Sequence, residues 1–109
     1  MTDRLPSRIE AHGFLRQAEA LGGFAHVLKK GDADRGAVVL LIAQRGAPFA
    51  MLERRMGPDF NYEWARFDHP TQDVRSFIGD RARIDPDIWL IELDIPDAER
   101  FIAETTDSG

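Results

Sequence analysis

The run Ala37-Val38-Val39-Leu40-Leu41-Ile42-Ala43 decides the fold: it is seven consecutive apolar residues, bounded by Gly36 on one side and Gln44-Arg45-Gly46 on the other. Crossing a bilayer takes roughly 20 such residues, and the run is rich in β-branched and long aliphatic side chains, so it reads as a buried strand. A strand with one side in water alternates polar and apolar residues, whereas this one shows no alternation. Both faces of its sheet must therefore be covered.

Working outward, residues 24–30 read as a strand, and Gly31-Asp32-Ala33-Asp34-Arg35-Gly36 reads as the turn of a hairpin into a strand over 37–44. Gly46-Ala47-Pro48 breaks the chain before a third strand over 49–55, and Gly57-Pro58-Asp59 precedes a fourth over 62–67. The four are expected to follow one another as a meander. Upstream, Pro6-Ser7 followed by Glu10 has the form of a capping box. The helix it opens carries Ala11, Phe14, Leu15, Ala18 and Leu21 on one stripe and stops at Gly22-Gly23.

Downstream, Thr71 is the expected N-cap of a helix over 72–83, with Val74, Phe77, Ile78 and Ala82 at helical spacing. Asp85-Pro86 ends it, and residues 88–95 form a strand of high β-propensity. A last short helix begins at Pro96 and carries Ala98, Phe101 and Ile102, with fraying expected over 105–109. The order is α, four β, α, β, α: an α+β fold with a mainly antiparallel five-stranded sheet and three helices, in a single domain over 1–109.

Composition narrows the chemistry. The chain has 109 residues, 14 basic and 19 acidic, for a formal net charge of -5. That balance argues against non-specific attraction to nucleic acid or anionic lipid. Zero cysteine excludes disulfides, thiolate metal sites and cysteine nucleophiles. The first residues contain no apolar stretch of secretory type, so a cytoplasmic location is expected. No cofactor is implied, since phosphate-binding glycine motifs, GxSxG and HExxH are all absent.

The segments Leu28-Lys29-Lys30-Gly31-Asp32 with Gly36-Ala37-Val38, and Asp85-Pro86-Asp87-Ile88-Trp89-Leu90-Ile91-Glu92, resemble those of a small family of alphaproteobacterial proteins of about this length. That family is catalogued as a domain of unknown function. The resemblance spans most of the chain, and the second segment is its more specific part. It implies a bacterial, cytoplasmic protein and supplies no catalytic or binding residue.

The remaining candidates come from the residues themselves. His12, His26 and His69 fall in a helix, a strand and a loop, and none has the i, i+4 spacing of a helical metal site, so no metal is expected. Asp68-His69 with Asp73 has ligand-type atoms, but capping and turning account for it better, and a hydrolase built there is a remote option. Asp32 and Asp34 superficially suggest a calcium loop, yet the twelfth position would be Ala43, which makes them turn formers. Asp85 with Asp87, and Glu92 with Asp94, read as solvated strand ends. No catalytic residue is assigned.

If residues 49–55 pair with 62–67 in even register, Leu52, Arg54, Tyr62, Trp64 and Arg66 share one face, and Phe49, Met51, Glu53, Ala65 and Phe67 the other. Arg54, Arg55 and Arg66 cluster around Tyr62 and Trp64, and Arg54, Trp64 and Arg66 together with Lys30 and Arg35 form a candidate binding surface for a small anionic ligand or a single nucleic-acid strand. The competing reading is an Arg-rimmed protein interface with Glu53 and Glu63 as partners. The two-sided apolar sheet, with two of three helices short, favours a non-enzymatic homodimeric accessory or protein-interaction module in which a second copy completes the cover.

Overall fold

The computed structural model describes residues 5–67 and 74–107. Helix α1 (Ser7–Ala20) is followed by strands β1 (Phe24–Lys29), β2 (Val38–Gln44), β3 (Ala47–Met56) and β4 (Tyr62–Phe67), helix α2 (Val74–Ile84), strand β5 (Trp89–Asp94) and helix α3 (Ala98–Asp107). The five strands make one mixed, mostly antiparallel sheet in the order β1-β5-β2-β3-β4. The α+β class and element order are as the sequence reads.

The meander is not. β5 inserts between β1 and β2, antiparallel to the first and parallel to the second, so residues 24–44 do not form a hairpin. The physical reason lies in composition. β5 is buried along most of its length on both faces, as β2 is, while β1 carries His26 and Lys29 and is half exposed. The sheet gains most by putting its two greasiest strands in the middle. The connection over 30–37 is long enough to span the roughly 10 Å of two strand spacings.

The β2–β3 connection is tighter than expected. Gln44 pairs with Ala47 across Arg45 and Gly46, which both have positive φ (54° and 79°), the geometry of a two-residue type I′ turn. A register shift follows where Ala43 pairs with Pro48, and it returns Phe49 to the main core beside Leu52. Phe49 therefore lies opposite to the face read from simple alternation. The rest of the β3–β4 register is as expected, with Leu52 against Arg66, Arg54 against Trp64 and Glu53 against Ala65.

The main core lies on one face of the sheet. There Val38, Leu40, Ile42, Leu52, Trp89, Ile91 and Leu93 meet Ala11 and Ala18 of α1 and Ala98, Phe101 and Ile102 of α3. On the other face, Val39, Ile88 and Leu90 are buried with Leu28 and Met51 against them, and Arg81 ties α2 to Glu53 of β3. Helices thus straddle the sheet, and its centre is covered on both faces by the chain itself. A second copy is not needed for that purpose.

Helix ends correct two further readings. Ser7 is not a cap but a fully buried first-turn residue, whose hydroxyl donates to the Gly36 carbonyl at 2.5 Å. Glu10 turns to Arg54 instead of back to the helix start. α3 begins at Ala98 with Asp97 accepting from the Arg100 amide at 3.2 Å, and it stays helical to Asp107, past the expected onset of fraying. Gly22, at φ 81°, provides the left-handed stop of α1. The cap Thr71 and the start of its helix lie outside the described residues.

Candidate functional site

The even register brings Arg54 and Trp64 side by side, with the guanidinium 4.3 Å from the ring centroid. Phe14 of α1 meets the same indole edge-on, at 5.7 Å between centroids. Arg54 also makes a two-pronged pair with the Glu10 carboxylate, one arm at 2.8 Å. Arg66 does the same with Glu99 of α3, at 2.9 and 3.1 Å, and its guanidinium lies 5.6 Å from the Phe49 ring. Arg54 and Arg66 thus each meet an acidic residue from a helix, while Arg55 lies by Glu53 of its own strand and over the Phe67 ring. Bidentate pairs of this kind orient a helix against a strand, and they leave the guanidinium planes already engaged.

Lys30 and Arg35 are placed elsewhere, both exposed on the connection that crosses β5. Of the five candidate residues, the structure joins Arg54 and Trp64 directly, sets Arg66 one pairing away, and leaves Lys30 and Arg35 on that loop. The lysine with defined partners is Lys29, whose ammonium donates to the Pro86 carbonyl at 2.7 Å and to Ile88 at 3.2 Å. The sequence assigns Glu10 to a capping box and gives Lys29 and Glu99 no partner, because the partners of all three are remote in the chain.

That crossing is fastened by several hydrogen bonds. The Asp32 amide donates to Asp87, the Trp89 indole donates to the Asp32 carbonyl at 2.6 Å, and the Trp89 amide donates to Ala37. The Arg8 amide at the start of α1 donates to Ala33. Gly31 and Gly36 press on the same peptide: a Cβ on either would sit about 2 Å from the Asp87 carbonyl oxygen (2.2 and 2.1 Å). The Asp32 carboxylate accepts from the Asp34 and Arg35 amides, and those two bonds hold its pKa below the usual carboxylate value. Asp59 is lowered likewise by the side chain and amide of Asn61.

Every buried polar side-chain atom among the described residues has a partner. No group of three or more His, Asp or Glu among them converges as a metal site. Asp68, His69 and Asp73 lie outside the described residues. No helix among the described residues is long and apolar enough to cross a membrane.

Large apolar side chains are exposed at several places among the described residues, Phe60, Tyr62 and Ile84 among them, and one such place is the edge at β1. Phe24 is 78% exposed and walls two shallow hollows of about 510 and 440 Å³. The first is lined by Leu15, Glu19, Gly23 and Ala25, the second by Gly22, Arg45, Asp94 and Pro96. In the second, the Asp94 carboxylate already accepts from the Arg45 and Gly46 amides at 3.0 and 2.7 Å. Leu21 and Val27 are exposed nearby in sequence. Only Phe24, directly after Gly22-Gly23, advertised this patch in the sequence.

Fold and site together define a small single-sheet α+β module whose charged clusters fasten helices and loops, with an apolar strand edge left bare. The profile of a family described as "Protein of unknown function (DUF1491)" matches residues 5–103. The chain belongs to that family. It is similar to the crystal structure of a DUF1491 family protein from Caulobacter crescentus CB15, at 31% identity over 90% of this chain and 94% of that one, with a TM-score of 0.75. The solution structure of a DUF1491 family protein from the same organism gives 31% identity, 89% and 91% coverage, and a TM-score of 0.73. The fold is also shared with protein Atu0922 from A. tumefaciens, at 21% identity over 84% and 86% of the chains and a TM-score of 0.67. No curated protein matches.

Proposed function

We propose that this protein is a non-enzymatic accessory module that works by protein association, and that it is a homodimer. The observation that carries this reading is the bare β1 edge, where Phe24 stands 78% exposed beside a strand with no backbone partner on its outer side among the described residues. Open edges are templates for another strand, and two-fold dimers are the commonest soluble homo-oligomers. The support lies in the edge, since the chain already covers the sheet's faces.

The anion-binding reading through Lys30, Arg35, Arg54, Trp64 and Arg66 has weaker support. A ligand there would have to compete with Glu10 for Arg54 and with Glu99 for Arg66. Light scattering across micromolar concentrations tests the preferred reading: a mass twice the 12.3 kDa of the chain is expected, and a clean monomer throughout overturns it.

A further inference from the structure

Sheet edges in monomeric proteins are usually guarded by a lysine, a proline, a bulge or charged side chains. β4, at one edge, carries Glu63 and Arg66. β1, at the other, contains no proline, and its register shift falls only at Val27–Lys29, near its end. Its one charged residue, Lys29, is folded inward onto the Pro86 and Ile88 carbonyls. Phe24-Ala25-His26-Val27-Leu28 is thus an edge stretch with no acidic, lysine or arginine side chain, in a chain that is 30% charged with a net charge of -5. β1 itself carries no acidic residue, so two copies paired along it set no strand carboxylates opposite each other. Glu19 of α1 lines the hollow beside Phe24, and Glu92 and Asp94 lie one strand back, opposite His26 and Phe24.

Resting on the homodimer reading, we infer that two copies join by antiparallel β1–β1 pairing with His26 on the two-fold axis, fusing their sheets. The register follows from the pleat. A two-fold axis normal to the sheet keeps like faces together, so paired residues must have numbers of the same parity. Centring on His26 places Ala25 against Val27 of the second copy, apolar against apolar, and brings Phe24 level with Leu28, where β1 shifts register against β5. A centre on Ala25 brings Val27 against Gly23, and a centre on Val27 brings Ala25 against Lys29. Both lose the apolar match.

The absence of cysteine makes the register directly readable. In the full-length chain, His26→Cys places two thiols directly opposite, at a Cα separation that a disulfide spans. Phe24→Cys places its pair four residues out of step, beyond reach. Under mild oxidation, His26→Cys is expected to give a covalent dimer and Phe24→Cys is not. His26→Glu, which sets two carboxylates on the axis, should raise the dissociation constant at least tenfold with an unchanged circular dichroism spectrum. A dimer by light scattering that cross-links equally at both positions, or at neither, overturns the pairing while sparing the homodimer reading. A wild-type monomer removes both. A His26→Glu protein that is folded and as dimeric as wild type also overturns the pairing.

Discussion

At the scale of single residues, two glycines show how differently the same residue type is used. A Cβ at Gly36 would lie 2.1 Å from the Asp87 carbonyl oxygen and 2.9 Å from Cδ1 of Trp89, with backbone on one side and a core indole on the other. Gly36→Ala should cost about 1–3 kcal/mol in urea unfolding, the range for overpacking a tight site. Gly13, inside α1, has nothing within 4 Å of its would-be Cβ. Gly13→Ala should therefore gain roughly 0.5–1 kcal/mol. Asp32 gives a pH dependence of known sign. Its amide bonds favour the ionised form in the folded state, so their contribution is present above the usual value of 3.8 and is lost as pH falls through the depressed folded value. Melting temperature should drop less steeply for Asp32→Asn than for wild type between about pH 4 and 2.

At the scale of elements, several local signals were legible where a partner lay close in sequence, though the tight turn at Arg45-Gly46 and the register shift beside it were not. The Asp32 turn, the Gly22 stop and the β3–β4 register all follow from neighbouring residues. Ser7 and Glu10 fit a capping box equally well, yet the structure commits them to Gly36 and Arg54, 29 and 44 residues away. The buried Gly36 carbonyl and the Arg54 guanidinium supply stronger partners than the helix's own amides. A double-mutant cycle on Glu10→Gln and Arg54→Met should show coupling of about 1.5–3 kcal/mol, as for hydrogen bonds between charged groups with little solvent access. The side chains are 11% and 20% exposed, so screening reduces this value only modestly. The cap of α3 is ordinary by comparison. Asp97→Ala should cost about 1 kcal/mol, read by thermal or urea unfolding.

At the scale of the whole molecule, the position of β5 governs cooperativity. It is the strand nearest the C-terminal end and sits between β1 and β2, so the sheet cannot close until most of the chain is present. A fragment of residues 1–86 is expected to lack a cooperative unfolding transition by circular dichroism. In the intact protein, hydrogen exchange should be slowest in β2 and β5, whose residues include Val39, Leu40, Leu90, Ile91 and Leu93 at 0% exposure. The two segments that carry the family resemblance acquire a physical meaning at this scale. Lys29, Gly31, Asp32 and Gly36 come from one, and Pro86, Asp87, Ile88 and Trp89 from the other; together they fasten the point where the β1–β2 connection passes β5.

From its residues alone, the chain determines that it builds an α+β sheet with strongly apolar strands, because runs such as 37–43 are short and rich in residues of high β-propensity. Their patterning also sets most element positions and the face that Trp64 shares with Arg54. Strand order, the fates of Ser7, Glu10 and Lys29, and the bare edge at Phe24 were decided only by the assembled fold. Periodicity encodes which side of an element is apolar, but not which remote segment it will meet; that choice is made by burial and hydrogen bonding summed over the whole chain.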